Sequence, residues 1–163
     1  MLVIADTTPL NYLILINAIE ILPQLYGRVL IPTAVVEELK NPEAPAAARA
    51  WTENPPGWLD VRPVGAGDSA LAKANLGAGE REAINLALAV AADVILIDER
   101  AGRREAARRH LQVTGTLGVL DEAAERGLID FHAALDRLRQ TSFRMPREIS
   151  EAFPPRNQKR QES

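Results

Sequence analysis

"VILIDERAGRR", residues 94–104, drives four apolar residues straight into two carboxylates, Asp98 and Glu99, and then into Arg100, Arg103 and Arg104. A short apolar run of this kind, rich in Ile and Val, reads as a fully buried strand. The arginine-bearing stretch behind it reads as a helix over 100–110. A second run of the same type, "LVIAD" at 2–6, ends in Asp6. Pro9 then opens a helix over 9–21, with Thr7 or Thr8 as its N-cap. If the two strands lie side by side and parallel, Asp6 and the Asp98–Glu99 pair share one edge of a sheet.

The rest of the chain extends that pattern. Strands are expected at 28–31, 58–64 and 112–114. Helices are expected at 34–40, within 41–57, at 80–92, 117–126 and 131–139, and "GAGDSALAKANLGAG" (65–79) reads as a loop or weak helix. Short buried strands alternating with helices predict an α/β fold: three layers, α/β/α, around a mainly parallel central sheet of four to five strands. Ligands of such folds bind beyond the carboxyl ends of the strands, which makes strand-end residues the first candidates for a site.

Composition narrows the chemistry. The 163 residues, 47% hydrophobic and 25% charged, fit one globular domain. There is no cysteine, so disulfides, thiolate metal sites and a Cys nucleophile are excluded, and a cytoplasmic location is the expectation. No apolar run approaches the ~20 residues of a membrane span, and "MLVIADTTPL" does not read as a signal peptide. The net charge of −3 gives no global basic field, so nucleic-acid binding needs a local patch or bound cations. The stripe Arg100, Arg104 and Arg108, flanked by Arg103 and Arg109, is such a patch, unless it merely pairs with Glu105 in solvent. With aromatics at 4%, stacking platforms for bases are not expected. His110 and His132 lie far in sequence from the acids, and no Ser–His arrangement is evident.

More acids fall on helices. In "TAVVEELK" the apolar stripe is Val35, Val36 and Leu39; at about 100° per residue Glu38 lies roughly 110° from its centre and Glu37 roughly 150°. Glu38 is therefore nearer the protein. In "GAGEREAINLALA", Glu80 and Glu82 both fall in a first helical turn, where carboxylates suit the helix dipole. Each acid has a plain alternative: Asp6 as a helix cap, Glu38 as a solvated residue, Glu80 and Glu82 as capping glutamates, Asp98 and Glu99 as a solvated turn. Together they lie on one plausible rim, where a hard divalent cation, Mg²⁺ or Mn²⁺, offsets the cost of gathering like charges.

The segments "ADTTPL", "IPTAVVEEL", "GAGEREAINLA", "VILIDERAGR" and "VTGTLGVLDEAAERGLI", in that order, resemble the PIN-domain family, and within it the subgroup close to VapC-type toxins. The resemblance spans 1–153 as one PIN-like domain and leaves 154–163 as a polar tail expected to be disordered. It implies a parallel sheet in the order 3-2-1-4-5 and a single-strand-specific, metal-dependent ribonuclease of a toxin–antitoxin pair. Carried over, the catalytic acids are Asp6, Glu38, Glu82 and Asp98, with Glu80 and Glu99 as competing ligands of Mg²⁺ or Mn²⁺. Thr7, Thr8, Arg100, Arg104 and Thr116 are implied near substrate, with Gly115 beside them. Glutamate stands at 82 where many relatives have aspartate, a displacement of one methylene, about 1.5 Å. The implied partners are RNA, a small antitoxin and a second copy of the chain; no membrane is implied. Two other classes stay open: a PIN fold that binds a partner without cutting, and a mononucleotide-binding α/β module. The second is weakened because the glycines of 65–79 form no phosphate-cradling loop pattern.

Overall fold

The computed structural model describes residues 1–65, 67 and 69–156, the side chain of Ser69 excepted. In chain order the elements are β1 (Val3–Ala5), α1 (Thr7–Leu15), α2 (Ile21–Tyr26), β2 (Val29–Pro32), α3 (Thr33–Lys40), α4 (Ala46–Glu53), β3 (Leu59–Arg62), α5 (Ser69–Ala72), α6 (Ala78–Ala89), β4 (Val94–Leu96), α7 (Arg100–Arg108), β5 (Val113–Thr114), α8 (Thr116–Glu125), α9 (Phe131–Leu138) and α10 (Arg147–Ala152).

All strand pairs are parallel, and the five-stranded sheet has the order β3-β2-β1-β4-β5. Side chains alternate across it as the pleat requires. Val3, Ala5, Val29, Ile31, Val94 and Leu96 face the layer of α1 to α4, α8 and α9. Ile4, Leu30, Ile95 and Ile97 face α5, α6 and α7. Both faces are covered, which is why β1, β2 and β4 read as unbroken apolar runs rather than alternating ones. Ile95, Leu96 and Ile97 are 0% exposed, and each such side chain stabilises the fold by about 1.5–3 kcal/mol relative to exposure.

The chain winds outward from β1 through β2 to β3, then crosses back to place β4 on the other side of β1. That reversal opens a crevice at the carboxyl ends of β1 and β4, where α/β folds bind ligands. The register puts Ala5 beside Leu96, and the Asp6 N–H donates to the Leu96 carbonyl at 2.9 Å. Asp6 and Asp98 therefore leave adjacent strands at the same edge.

Two helices differ from the sequence reading, the first and the last, while the stretch read as a loop or weak helix agrees with it. The helix expected over 9–21 stops at Leu15, because Asn17 adopts a left-handed backbone (φ +58°), and α2 starts afresh at Ile21. The loop at 65–79 contains one short helix, α5; residues 66 and 68 lie outside the described part. Helix α10 was not anticipated, since Ile149 is its one large apolar residue. Of the tail read at 154–163, residues 157–163 lie outside the described part. Pro154 and Arg156 pack on α9: the Pro154 carbonyl meets His132 Nε2 at 2.6 Å, and Arg156 reaches Asp136 at 3.4 Å. Among the described residues no helix is long and apolar enough to cross a membrane.

Candidate functional site

Asp6 stands just beyond the carboxyl end of β1, on the edge where the strand order reverses. It occupies the N-cap position of α1 in an extended conformation, yet its side chain makes no capping hydrogen bond. It is 2% exposed, and its Oδ1 is buried with no hydrogen-bond partner. Burial raises its pKa from 3.8 to about 7; the Thr7 N–H opposes this, and the negative charges of Glu80, Glu38 and Asp98 add to it. Glu38 on α3, Glu80 on α6 and Asp98 beyond β4 thus place negative charge around one buried aspartate, each disfavouring its ionised form.

The surrounding acids are held in place by the chain itself. Glu38, on α3, accepts from Thr7 Oγ1 at 2.5 Å and from the Gly79 N–H at 2.9 Å. A Cβ at Gly79 would overlap the Glu38 carboxylate, so any side chain there would push Glu38 from this position. Glu80 takes the capping-box position of α6, accepting from the Gly77 N–H at 3.3 Å through Oε1. Its other oxygen, Oε2, is buried without a partner, and Gly102 makes room for it, since a Cβ there would come within 2.6 Å. Burial raises the Glu80 pKa; the Gly77 N–H opposes it, and Glu99 and Glu38 reinforce it. Asp98 accepts from Thr116 twice, at Oδ1 from the backbone N–H (2.7 Å) and at Oδ2 from Oγ1 (2.6 Å). Glu99 is exposed at the N-cap position of α7, without a side-chain capping bond.

Glu82 goes elsewhere. It lines a separate depression with Val64, Gly65, Arg81 and Asn85, and it is not among the charges acting on Asp6. The gathered set is thus Asp6, Glu38, Glu80 and Asp98, with Glu99 at its rim. Among the described residues no three acids already stand at ligand spacing. The hydrogen bonds explain that: Glu38 and Asp98 are turned onto protein donors, which leaves the free buried oxygens to Asp6 and Glu80. An oxygen-only donor set around a buried, unneutralised carboxylate fits a hard divalent ion.

Basic residues flank the acids. Glu105 pairs with Arg108 (2.9 Å) and Arg109 (2.8 Å), so the solvated-pair reading holds for that half of the stripe. Among the described residues Arg100, Arg103 and Arg104 are in no ion pair; all three are exposed and line a depression that reaches Asp98. Beside it, a groove of about 800 Å³ includes Asp98, Glu99, Thr8, Tyr12, Phe143 and Arg144 in its lining. The last two were not anticipated from sequence; "SFRMPRE" carries an aromatic next to an arginine, but nothing local ties it to the crevice.

Over residues 2–156 the chain matches the PIN domain family DUF3368. The chain belongs to the PIN-domain family. PIN domains are generally metal-dependent nucleases, bind nucleic acid and often pair with antitoxins. None of the curated proteins compared with this PIN domain matches it significantly. Its fold is similar to that of a PilT N-terminus domain protein, SSO1118, from the hyperthermophilic archaeon Sulfolobus solfataricus P2, at 15% identity and a TM-score of 0.55, covering 77% of this chain and 95% of the other. At that identity the likeness speaks for fold alone. In this PIN domain Thr7 braces Glu38, Thr116 braces Asp98, and Thr8 lines the groove. The crevice so built can take a cation between its carboxylates and an anion against its arginines.

Proposed function

We propose that this PIN domain is a single-strand-specific, metal-dependent endoribonuclease, the toxin of a toxin–antitoxin pair. One observation carries the metal site: two buried carboxylate oxygens, Asp6 Oδ1 and Glu80 Oε2, lack a hydrogen-bond partner among the described residues, with the negative charges of Glu38 and Asp98 close to Asp6 and those of Glu38 and Glu99 close to Glu80. Burying unpaired charge is costly, so without a counter-ion Asp6 holds its proton up to about pH 7, and a divalent cation is what would let these carboxylates ionise together. Asp6, Glu80, Glu38 and Asp98 would hold Mg²⁺ or Mn²⁺, with Glu99 at the open side. A divalent ion supplies Lewis-acid activation of water and neutralisation of the phosphate there. Thr7, Gly79 and Thr116 keep Glu38 and Asp98 from swinging away. Arg100 and Arg104 hold the phosphates of the strand on either side. Overall, one water adds across a phosphodiester: its hydroxyl goes to phosphorus, the bond to the leaving ribose oxygen breaks, and the proton ends on that oxygen.

The family resemblance supports RNA as the nucleic acid, a small antitoxin as the partner and a homodimer as the assembly. The competing reading, a PIN fold that binds without cutting, draws on the hydrogen bonds that already engage Glu38 and Asp98. Labelled single-stranded RNA with Mn²⁺ separates the two. Cleavage is expected, and it is expected to vanish with EDTA and with Asp6→Asn. Binding without cleavage favours the second reading; cleavage that survives EDTA removes the metal site.

A further inference from the structure

The groove beside the acids has a wall that the metal site does not use. Tyr12, on α1, and Phe143, in the link between α9 and α10, meet edge to face with ring centroids 5.0 Å apart. Tyr12 Oη and Ser142 Oγ lie 3.1 Å apart, and the Phe143 N–H donates to Thr141 Oγ1 at 3.1 Å. The following segment is pinned as well: Arg139 donates to the Phe153 carbonyl, and His132 Nε2 meets the Pro154 carbonyl at 2.6 Å. This wall is therefore built, not a loose tail end. Arg144, next to Phe143, is exposed and in no ion pair among the described residues; the same is true of Arg100 and Arg103, which also line the groove, Arg103 donating to the Ile97 carbonyl at 3.5 Å. Elsewhere the chain matches arginine to acid repeatedly: Arg62 with Asp60, Arg126 with Glu122, Arg139 with Asp136.

We infer that this groove seats one nucleotide of the substrate strand next to the scissile phosphate, its base against the Phe143–Tyr12 wall and its phosphate among Arg144, Arg100 and Arg103. The volume, about 800 Å³, lies within the roughly 300–1,000 Å³ of small-molecule sites. An aromatic face with guanidinium groups around it is what a base and its phosphate need, and the pairing tolerates any base. A run of acidic side chains would use the arginines but brings no planar ring to the aromatic wall. The position of the scissile bond rests on the nuclease reading; occupancy of the groove does not.

The test measures anisotropy of a fluorescein-labelled single-stranded RNA dodecamer on the full chain carrying Asp6→Asn, across a salt series. Added to that background, Arg144→Ala is expected to weaken binding about tenfold and to reduce the magnitude of the log–log salt slope by about 0.7, the loss of one phosphate contact. Arg144→Lys is expected to restore the slope. Phe143→Leu, which keeps apolar volume in the partly buried position, is expected to weaken binding about fivefold with the slope unchanged. Arg108→Ala, at an arginine already paired with Glu105, is expected to change binding less than twofold. On the otherwise native chain, Arg144→Ala is expected to raise KM more than it lowers kcat. Equal losses at Arg108 and Arg144, no loss at either groove residue, or no RNA binding at all would overturn the proposal. So would a loss at Arg144 seen with a polyglutamate peptide and not with RNA, which would mark a protein-docking groove. Intact groove effects in a chain that never cuts RNA would sink the nuclease reading and leave the subsite standing.

Discussion

Asp6 and Asp136 are the two aspartates buried among the described residues, at 2% and 7% exposed, and the chain treats them in opposite ways. Asp136, on α9, is met by Arg139 at 2.8 Å and by Arg156 at 3.4 Å. Asp6 has no basic partner among the described residues; its charged neighbours are Glu80, Glu38 and Asp98. Burial of a carboxylate is thus no mark of function by itself. Where the chain supplies its own guanidinium groups, the aspartate fastens the C-terminal segment to the fold. Where it supplies more carboxylates, the aspartate is left without a partner of opposite charge among the described residues, and burial holds its pKa up near 7.

Substitution at the two positions should separate these roles. The largest expected effect is on catalysis: Asp6→Asn should lower single-turnover RNA cleavage in Mn²⁺ by more than about a thousandfold, near 4 kcal/mol of barrier, while Asp136→Asn stays within about threefold. A comparable loss at both would erase the distinction. On stability the order reverses. In urea melts at pH 8 without divalent ions, Asp136→Ala should cost about 3 kcal/mol, because it strands Arg139 in a largely buried position. Asp6→Asn should stabilise by about 2 kcal/mol. The rise from 3.8 to about 7 corresponds to about 4 kcal/mol at about 1.4 kcal/mol per pH unit, less about 2 for burying an unpaired amide.

The pH dependence follows from the direction of that rise. Folded Asp6 keeps a proton that the unfolded chain has released, so its contribution to stability falls as pH climbs from 3.8 to about 7 and is flat outside that window. Ion-free melts of the native chain, with the Asp6→Asn curve subtracted, should show this decline. Affinity for Mn²⁺ should rise through the same window and level off above it, because binding must expel the proton. The smallest effect sharpens the site's edge: by calorimetry Glu80→Gln should weaken ion binding about tenfold, and Glu82→Gln less than twofold.

Much of this was legible in the order of residues. Apolar runs that end in acid, separated by helices, lead to a parallel sheet with Asp6 and Asp98 on one edge, and the register of β1 against β4 has that form. Glu38 could be placed by helix phase. Glu80 could have been separated from Glu82 by the same means: Ala83, Ile84 and Ala87 are buried on α6, and Glu80 stands three, four and seven residues before them, on their stripe. Asp98 and Glu99 could not be separated locally, because what distinguishes them is Thr116, eighteen positions on. The aromatic wall was unreadable for the same reason. Tyr12 and Phe143 come together only in the folded chain, 131 positions apart in sequence.

The most direct test of the central claim is anomalous diffraction from crystals grown with Mn²⁺. One strong peak is expected, bonded to the Asp6 carboxylate with Glu80, Glu38 and Asp98 around it, and it is expected to be lost in Asp6→Asn crystals. A peak that persists in that variant, or manganese found at exposed surface acids with the Asp6 crevice empty, would contradict that claim.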